Sequence, residues 1–502
     1  MVQTMTRRTL LKRIGAGTTA LTLSGLWRPS ALGQSALISV TNGAVDTMEV
    51  TRLNDPNLQL VTNLFDGLLR RDPQGNLLPA LATSFERPAA DAWVFHLREG
   101  VKFHDGSPFG AEDVKFSLER LKEDFSEFSF FGSSILRVEI ESDLRVRVIT
   151  DGPVPFFADN MHQTFIISAR SAGRSLTDLA TNPIGTGAYR FVAWEQGSFV
   201  DLEANAQYWG GAPAIKRVRH QEILDDSTRL AALESGEADL VQNLPGQFAQ
   251  RVGANPGLRL VSRDGRQCIF FSPTVVDTPF AELKVRQAAY HAIDAQLIID
   301  TALNGFGTLA AQIPDPSTIG YDAGIQRLPF DQERARQLLR DANLADGFDL
   351  TVDVLNDQFV NPEGVGQAVA QMLQQVGINA QVRSRPGSVF FEDAGKAFFI
   401  VGWFDGAYDF GRTAGNLLTT GSFFNGSQYA NAQFDALIDQ ANATLDPTTR
   451  ATILRQANRL VMDDVGLVPL HYEGQVWGTS NRINFIPRSD TWTVYADIIP
   501  SL

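Results

Sequence analysis

The 502-residue chain contains a single cysteine, Cys268, so no internal disulfide can staple it. Its histidines, at positions 96, 104, 162, 220, 291 and 471, are scattered. None forms the HxxxH or HExxH spacing that would put two imidazoles on one helix face around a metal, and His104 beside Asp105 reads as a turn rather than a ligand pair. A basic excess is also missing: the formal net charge is −14, which argues against nucleic acid or anionic lipid as a partner. Beyond the N-terminus no stretch approaches the roughly 18 to 20 uninterrupted apolar residues of a membrane span. There is no GxSxG elbow, P-loop, dinucleotide fingerprint, internal repeat or low-complexity block. What remains is 44% hydrophobic and 20% charged residues, enough for two or three domains with large cores.

The N-terminus stands apart. Arg7, Arg8, Lys12, Arg13 and Arg28 occur without any acid, a mildly apolar run follows from Gly15 to Leu26, and small residues lie around Ala31 and Gly33. This is the pattern of an export signal over residues 1–33, and Thr6 to Lys12, TRRTLLK, resembles the twin-arginine address read by a bacterial export receptor. Cleavage is expected near Gly33 or Gln34. Cys268 is remote from this segment, so an N-terminal lipid anchor is not expected. Loss of those five basic residues from a chain at −14 leaves about −19.

Periodicity predicts a mixed α/β chain. Leu37 to Val40 is a short strand with Thr41, Asn42 and Gly43 as its loop, and a helix follows from about Asn57 to Leu69. In WVFHLREGVKF, Trp93, Phe95 and Leu97 share one face and Val94, His96 and Arg98 the other, as in a half-buried strand. A helix from about Ser227 to Ser235 ends at Gly236, a residue suited to a left-handed C-cap. Asp331 caps a helix striped with Ala335, Leu338, Leu339 and Ala342. Val365, Val369, Met372, Leu373 and Val376 stripe another, ended by Gly377 and followed by a strand from Ile378. Two final helices lie near 432–443 and 448–463, with Pro447 at the start of the second. No linker separates these elements, so the domains are expected to be interleaved, the chain crossing between lobes more than once.

Three long stretches carry more than periodicity. They are PALATSFE (79–86) with LREGVKFHDGSPFGAEDVKFSLER (97–120); NPIGTGAYRFVAWEQGSFVDLEANAQYWGGAP (182–213) with RLAALESGEADL (229–240); and KVRQAAYHAID (284–294) with PFDQERARQLLRDAN (329–343). In order and spacing they resemble the bacterial family 5 extracellular solute-binding proteins, the peptide, nickel and opine binders that feed ABC importers. The resemblance implies a periplasmic-binding-protein type II-like α/β fold: two lobes around a hinged cleft, with a subdomain inserted in the first. Mapped onto this chain, lobe I is 36–52, 184–265 and 474–502, its inserted subdomain 53–183, and lobe II 266–473. It further implies a non-catalytic, monomeric periplasmic protein without a cofactor. Such a protein captures a small-molecule or peptide ligand and docks on permease and ATPase partners. The alternatives are a nickel complex, an opine-like conjugate or an oligosaccharide as ligand, or a role as partner of a periplasmic sensor.

GWFDGAYDFG, residues 402–411, sets two carboxylates among four aromatics and three glycines. In peptide-binding members the corresponding loop resembles GW, one residue, then GDYPDP, and its first aspartate holds the peptide ammonium. Gly402 and Trp403 match, and Asp409 falls on the second aspartate. Gly406 stands where the first would be, with Asp405 beside it. Either Asp405 points inward or the ligand differs, because a buried ammonium without a charge partner costs several kcal/mol. Trp403 and Tyr408 are expected as flat cleft walls. Asn42 and Gly43 after the first strand, Arg385 (with Arg383, able to clamp a carboxylate) and Tyr429 complete the candidates.

Overall fold

The structure is a computed structural model; it describes residues 36–41, 43–52, 55–356, 359–386, 398–422 and 424–501. The expected leader, 1–33, and Asn42 lie outside these residues.

The described chain folds as two lobes, each built on a mixed sheet. The first sheet has seven strands in the order Leu258–Arg263, Gln475–Ser480, Leu240–Val241, Ala36–Thr41, Arg217–Glu222, Phe199–Ala204, Tyr189–Glu195. Its central strand, Ala36–Thr41, runs parallel to both neighbours, and the outer pairs are antiparallel. A parallel neighbour requires a crossover, here the helix Asp226–Ser235. Hung on this lobe is a four-stranded antiparallel sheet, Ala82–Ala89, Ala92–Leu97, Arg145–Thr150, Ile135–Ser142. The helix Ala111–Arg120 packs on it. One apolar core is shared by this sheet and the larger one, running through Phe95, Val148, Phe157, Tyr189 and Tyr495.

The second lobe holds six strands in the order Gly307–Leu309, Val468–Glu473, Cys268–Ser272, Phe398–Trp403, Phe348–Leu355, Ile378–Arg385. Its inner strands Cys268–Ser272 and Phe398–Trp403 read as near-continuous apolar runs, and helices Leu283–Ala292, Pro362–Gln374 and Pro447–Asp463 contribute further buried apolar residues to the same core. Cys268 belongs to that core, fully buried at the start of a central strand, with its thiol pKa pushed up by burial.

Two segments cross between the lobes. One is 264–267, joining Leu258–Arg263 to Cys268–Ser272; the other is Gly474, joining Val468–Glu473 to Gln475–Ser480. They lie side by side: the Glu473 N–H donates to the Gln267 carbonyl at 2.9 Å. A Cβ on Gly265 would sit 1.8 Å from the Glu473 carbonyl oxygen, so only glycine lets the strands meet there. Beside them is a cavity of about 20 Å³, one water's worth, lined from one lobe by Asn243, Leu244 and Gln475 and from the other by Leu303, Val360 and Glu473. No described helix is long and apolar enough to cross a membrane.

Candidate functional site

The strand Phe398–Trp403 delivers its last residue, Trp403, opposite Cys268, directly after the end of the first crossing. The chain then turns through 404–409 before the helix Phe410–Leu417. Asp409 is the N-cap of that helix: its carboxylate accepts from the N–H groups of Gly411 (2.8 Å) and Arg412 (3.3 Å). Its other oxygen pairs with Arg450 Nη1 at 2.5 Å, both side chains nearly fully buried. Burial nevertheless raises the Asp409 pKa, against the pull of Arg450. Asp409 is thus fully engaged inside its own lobe.

Asp405 organises the turn. One oxygen accepts from the Ala407 N–H (3.0 Å), the other from the Asp409 N–H (3.2 Å), and Arg412 Nη1 lies 3.2 Å away. Tyr408 takes a left-handed backbone, φ +60, held by its carbonyl accepting from the Ile319 N–H. Its buried ring therefore points away from its own lobe, and its hydroxyl shares a 2.7 Å hydrogen bond with Ser489 Oγ of the other.

Around this loop a polar layer joins the lobes. Arg71, at the end of the strand Leu69–Arg71, donates to Asp159 (2.7 Å), to the Gly75 carbonyl (2.7 Å) and across the lobes to the Ala407 carbonyl (3.4 Å). In the opposite sense Arg412 donates to Asn160 Oδ1 at 3.1 Å. Gly406 packs against Gln163, where a Cβ would come within 2.4 Å of the amide nitrogen. Arg266, in the first crossing, donates to Ser317 and Thr318 and pairs with Asp315 at 2.9 Å. The guanidinium groups of Arg71 and Arg266 lie over the Tyr408 ring at 4.1 and 3.3 Å from its centroid, inside the range of a cation–π contact. Burial raises the Asp159 pKa, with Asp405 adding to it, whereas Asp315 is held low by Arg266 and two hydroxyls despite its burial. His162 is buried and kept neutral, first by desolvation and then by Arg71.

The structure brings Trp403, Asp405, Tyr408 and Asp409 into one loop but does not bring the other candidates to it. Gly43 is half-buried after the first strand, its N–H 3.4 Å from Thr41 Oγ1. Arg385 and Arg383 both bind the fully buried Asp353 of the neighbouring strand. Tyr429 is a core residue of the second lobe, its hydroxyl donating to Asp464 at 2.8 Å and its ring packed on Phe434. Trp403 is half-buried against Phe424, its indole N–H without an acceptor among the described residues. Sequence reasoning missed Arg71, Asp159, Gln163, Arg266, Arg412 and Ser489. Each is ordinary in its local context and gains meaning only through contacts that span tens to hundreds of residues. In the HDG turn Asp105 accepts from Ser107, as a turn residue should, whereas the His104 ring bonds the distant Gly187 carbonyl. No cluster of potential metal ligands occurs among the described residues.

The arrangement suits enclosure of a polar solute between two lobes. It pairs aromatic walls with buried charges of both signs, and the crossing 264–267 contributes Arg266 to it. Comparison with known proteins agrees. The profile of the Bacterial extracellular solute-binding proteins, family 5 Middle, matches residues 76–425. A glutathione-binding protein GsiB of Pectobacterium atrosepticum is 29% identical over 99% of this chain and 99% of its own length. Among solved structures, the periplasmic binding protein DppA of Helicobacter pylori, in complex with the peptide STSA, superposes with a TM-score of 0.82 at 23% identity. That match covers 93% of this chain and 99% of the other. AgaA of A. tumefaciens R10, in complex with agropinic acid, gives 0.82 at 22% identity over 93% and 99%. The chain therefore belongs to the bacterial extracellular solute-binding proteins of family 5.

Proposed function

We propose that this substrate-binding component of an ABC importer carries a peptide-like solute, of the class that includes glutathione and short peptides, and releases it chemically unchanged. The observation that carries the reading is the buried polar layer between the lobes, in which loop 404–409 meets Arg71, Asp159, Asn160, Gln163 and Ser489. A solute with both donors and acceptors can exchange for these contacts as the lobes hinge, and closure draws its free energy from contacts made only in the closed state. The glutathione-binding relative, similar from end to end, supports the solute class.

The lobes are assigned as 36–52, 184–265 and 474–502 for the first, 53–183 for its insert and 266–473 for the second. The carrier works as a monomer in the periplasm after twin-arginine export and removal of residues 1–33, and meets permease and ATPase subunits there. Its test is a thermal-shift series on the purified protein with glutathione, di- and tripeptides, agropinic acid, an oligosaccharide and a nickel–histidine complex. Glutathione or a peptide raises the melting temperature progressively with concentration. Stabilisation by one of the other compounds alone overturns the peptide-like class, and recovery of a chemically altered solute overturns the carrier role.

A further inference from the structure

Among the described residues, the interlobe layer leaves two cationic donors without acceptors: Arg71 Nε and Arg266 Nη1. Their side chains are only 4% and 7% exposed, a setting in which an unmatched N–H on a charged group is costly to maintain. They approach from different parts of the chain, Arg71 from the strand Leu69–Arg71 and Arg266 from the crossing 264–267. Both guanidinium groups lie over the Tyr408 ring, which is held by its backbone bond to Ile319 and its hydroxyl bond to Ser489. Each guanidinium already has a carboxylate, Asp159 for Arg71 and Asp315 for Arg266. The charges are therefore compensated while the donor capacity is not exhausted. An arginine presents five N–H groups in a fixed fork, and the unused ones select an acceptor of carboxylate geometry.

The two carboxylates of the loop, Asp405 and Asp409, have no comparable opening. Both oxygens of Asp405 accept backbone N–H groups, and Arg412 pairs with it. Asp409 is consumed by its helix cap and Arg450. An incoming ammonium would have to break one of these arrangements, whereas an incoming carboxylate meets donors that are waiting.

We propose that Arg71 and Arg266 bind a carboxylate of the solute, so that the solute is a peptide-like molecule recognised through a free carboxylate and not through an α-ammonium held by Asp405 or Asp409. This rests on the peptide-like reading of the same site. The carboxylate is either a C-terminus or an acidic side chain, and the two are separable.

The test is isothermal titration of the purified full chain with glutathione, Ala-Ala-Ala, Ala-Ala-Ala amide, Ala-Ala-Glu amide and citrate. The free acid binds at least about tenfold more tightly than its amide. Recovery of affinity with Ala-Ala-Glu amide assigns the carboxylate site to a side-chain carboxylate; loss with both amides assigns it to the C-terminus. Arg71→Gln and Arg266→Gln each shrink the acid-over-amide ratio to under about threefold. Equal affinity for acid and amide in the unaltered protein overturns the carboxylate site without reliance on any variant. So does a ratio that survives both substitutions, or binding confined to compounds without a carboxylate. If citrate binds, is lost in both variants, and no peptide binds, the peptide-like reading falls and the carboxylate site stands.

Discussion

Arg450 and Asp409 form a 2.5 Å ion pair in which each side chain is less than 5% exposed. The pair fastens the N-terminus of the helix Phe410–Leu417 to the long helix Pro447–Asp463, and it fixes the loop that carries Tyr408. Removal of one partner leaves an uncompensated buried charge. Arg450→Met should destabilise the protein by about 3–5 kcal/mol. Asp409→Asn, which keeps cap acceptors, should cost less. Urea titration checks both; costs near zero for both would show that the ion pair carries little of the energy.

Asp405 is expected to act on the loop more than on the ligand. Its oxygens satisfy two backbone N–H groups, so Asp405→Ala should cost about 1–3 kcal/mol in stability. Asp405→Asn keeps one oxygen acceptor and should leave tripeptide affinity within about threefold of the original. A tenfold loss in calorimetry would assign Asp405 to a ligand ammonium after all.

Tyr408→Phe removes one hydroxyl and with it the hydrogen bond to Ser489 across the lobes. The aromatic stack with Arg71 and Arg266 is kept. A neutral hydrogen bond is worth about 1 kcal/mol, so the closed state should weaken by about fivefold. Ser489→Ala should do the same, and the double variant should add nothing. Small-angle scattering reads the closure and calorimetry the affinity.

Stability should respond to pH at the crossing. Glu473 is buried, accepts one N–H from Val360, and has its pKa raised by desolvation from 4.5 to about 7. Because the folded value lies above the unfolded one, its contribution is complete below pH 4.5 and is lost as pH rises through 7. Glu473→Gln should therefore gain stability relative to the unaltered protein above pH 7, and show no gain below pH 4.5. Melting curves across this range decide it.

Acid should act through histidines in the opposite direction. His104 and His220 are depressed by burial to about 4, and His471 to about 3, from 6.5. The unfolded chain takes up these protons first, so stability falls as pH drops from 6.5 towards 4. His220→Gln keeps a polar contact for the Tyr495 hydroxyl, which lies 2.6 Å from His220 Nδ1, and should flatten that slope.

Local signals in the sequence located the elements well where one residue type has one physical use. Gly236 is left-handed at φ +77 and ends its helix, Asp331 caps the helix Gln332–Asp341, and Pro447 starts the last long one. Alternation was less faithful. Val94 faces the side assigned to solvent, yet it is fully buried, because its strand is covered on both faces. The helix expected from 57 to 69 stops at Leu64, since Leu69 is claimed by a hairpin strand. The loop 402–411 is where the sequence placed the candidate site, but its contacts with Arg71, Arg266 and Ser489 were not legible there. A contact such as Arg71 to Ala407 spans 336 residues, and nothing within a local window distinguishes that arginine from Arg70 beside it.

The position of Arg266 has a mechanical consequence. It is two residues from Cys268 and one from Gly265, in a segment whose backbone must bend whenever the lobes move. A force on its guanidinium is thus applied at the short arm of the hinge, where a small displacement sweeps the far rims of both lobes through a much larger arc. In such a lever, sensing the solute and shutting on it are a single motion.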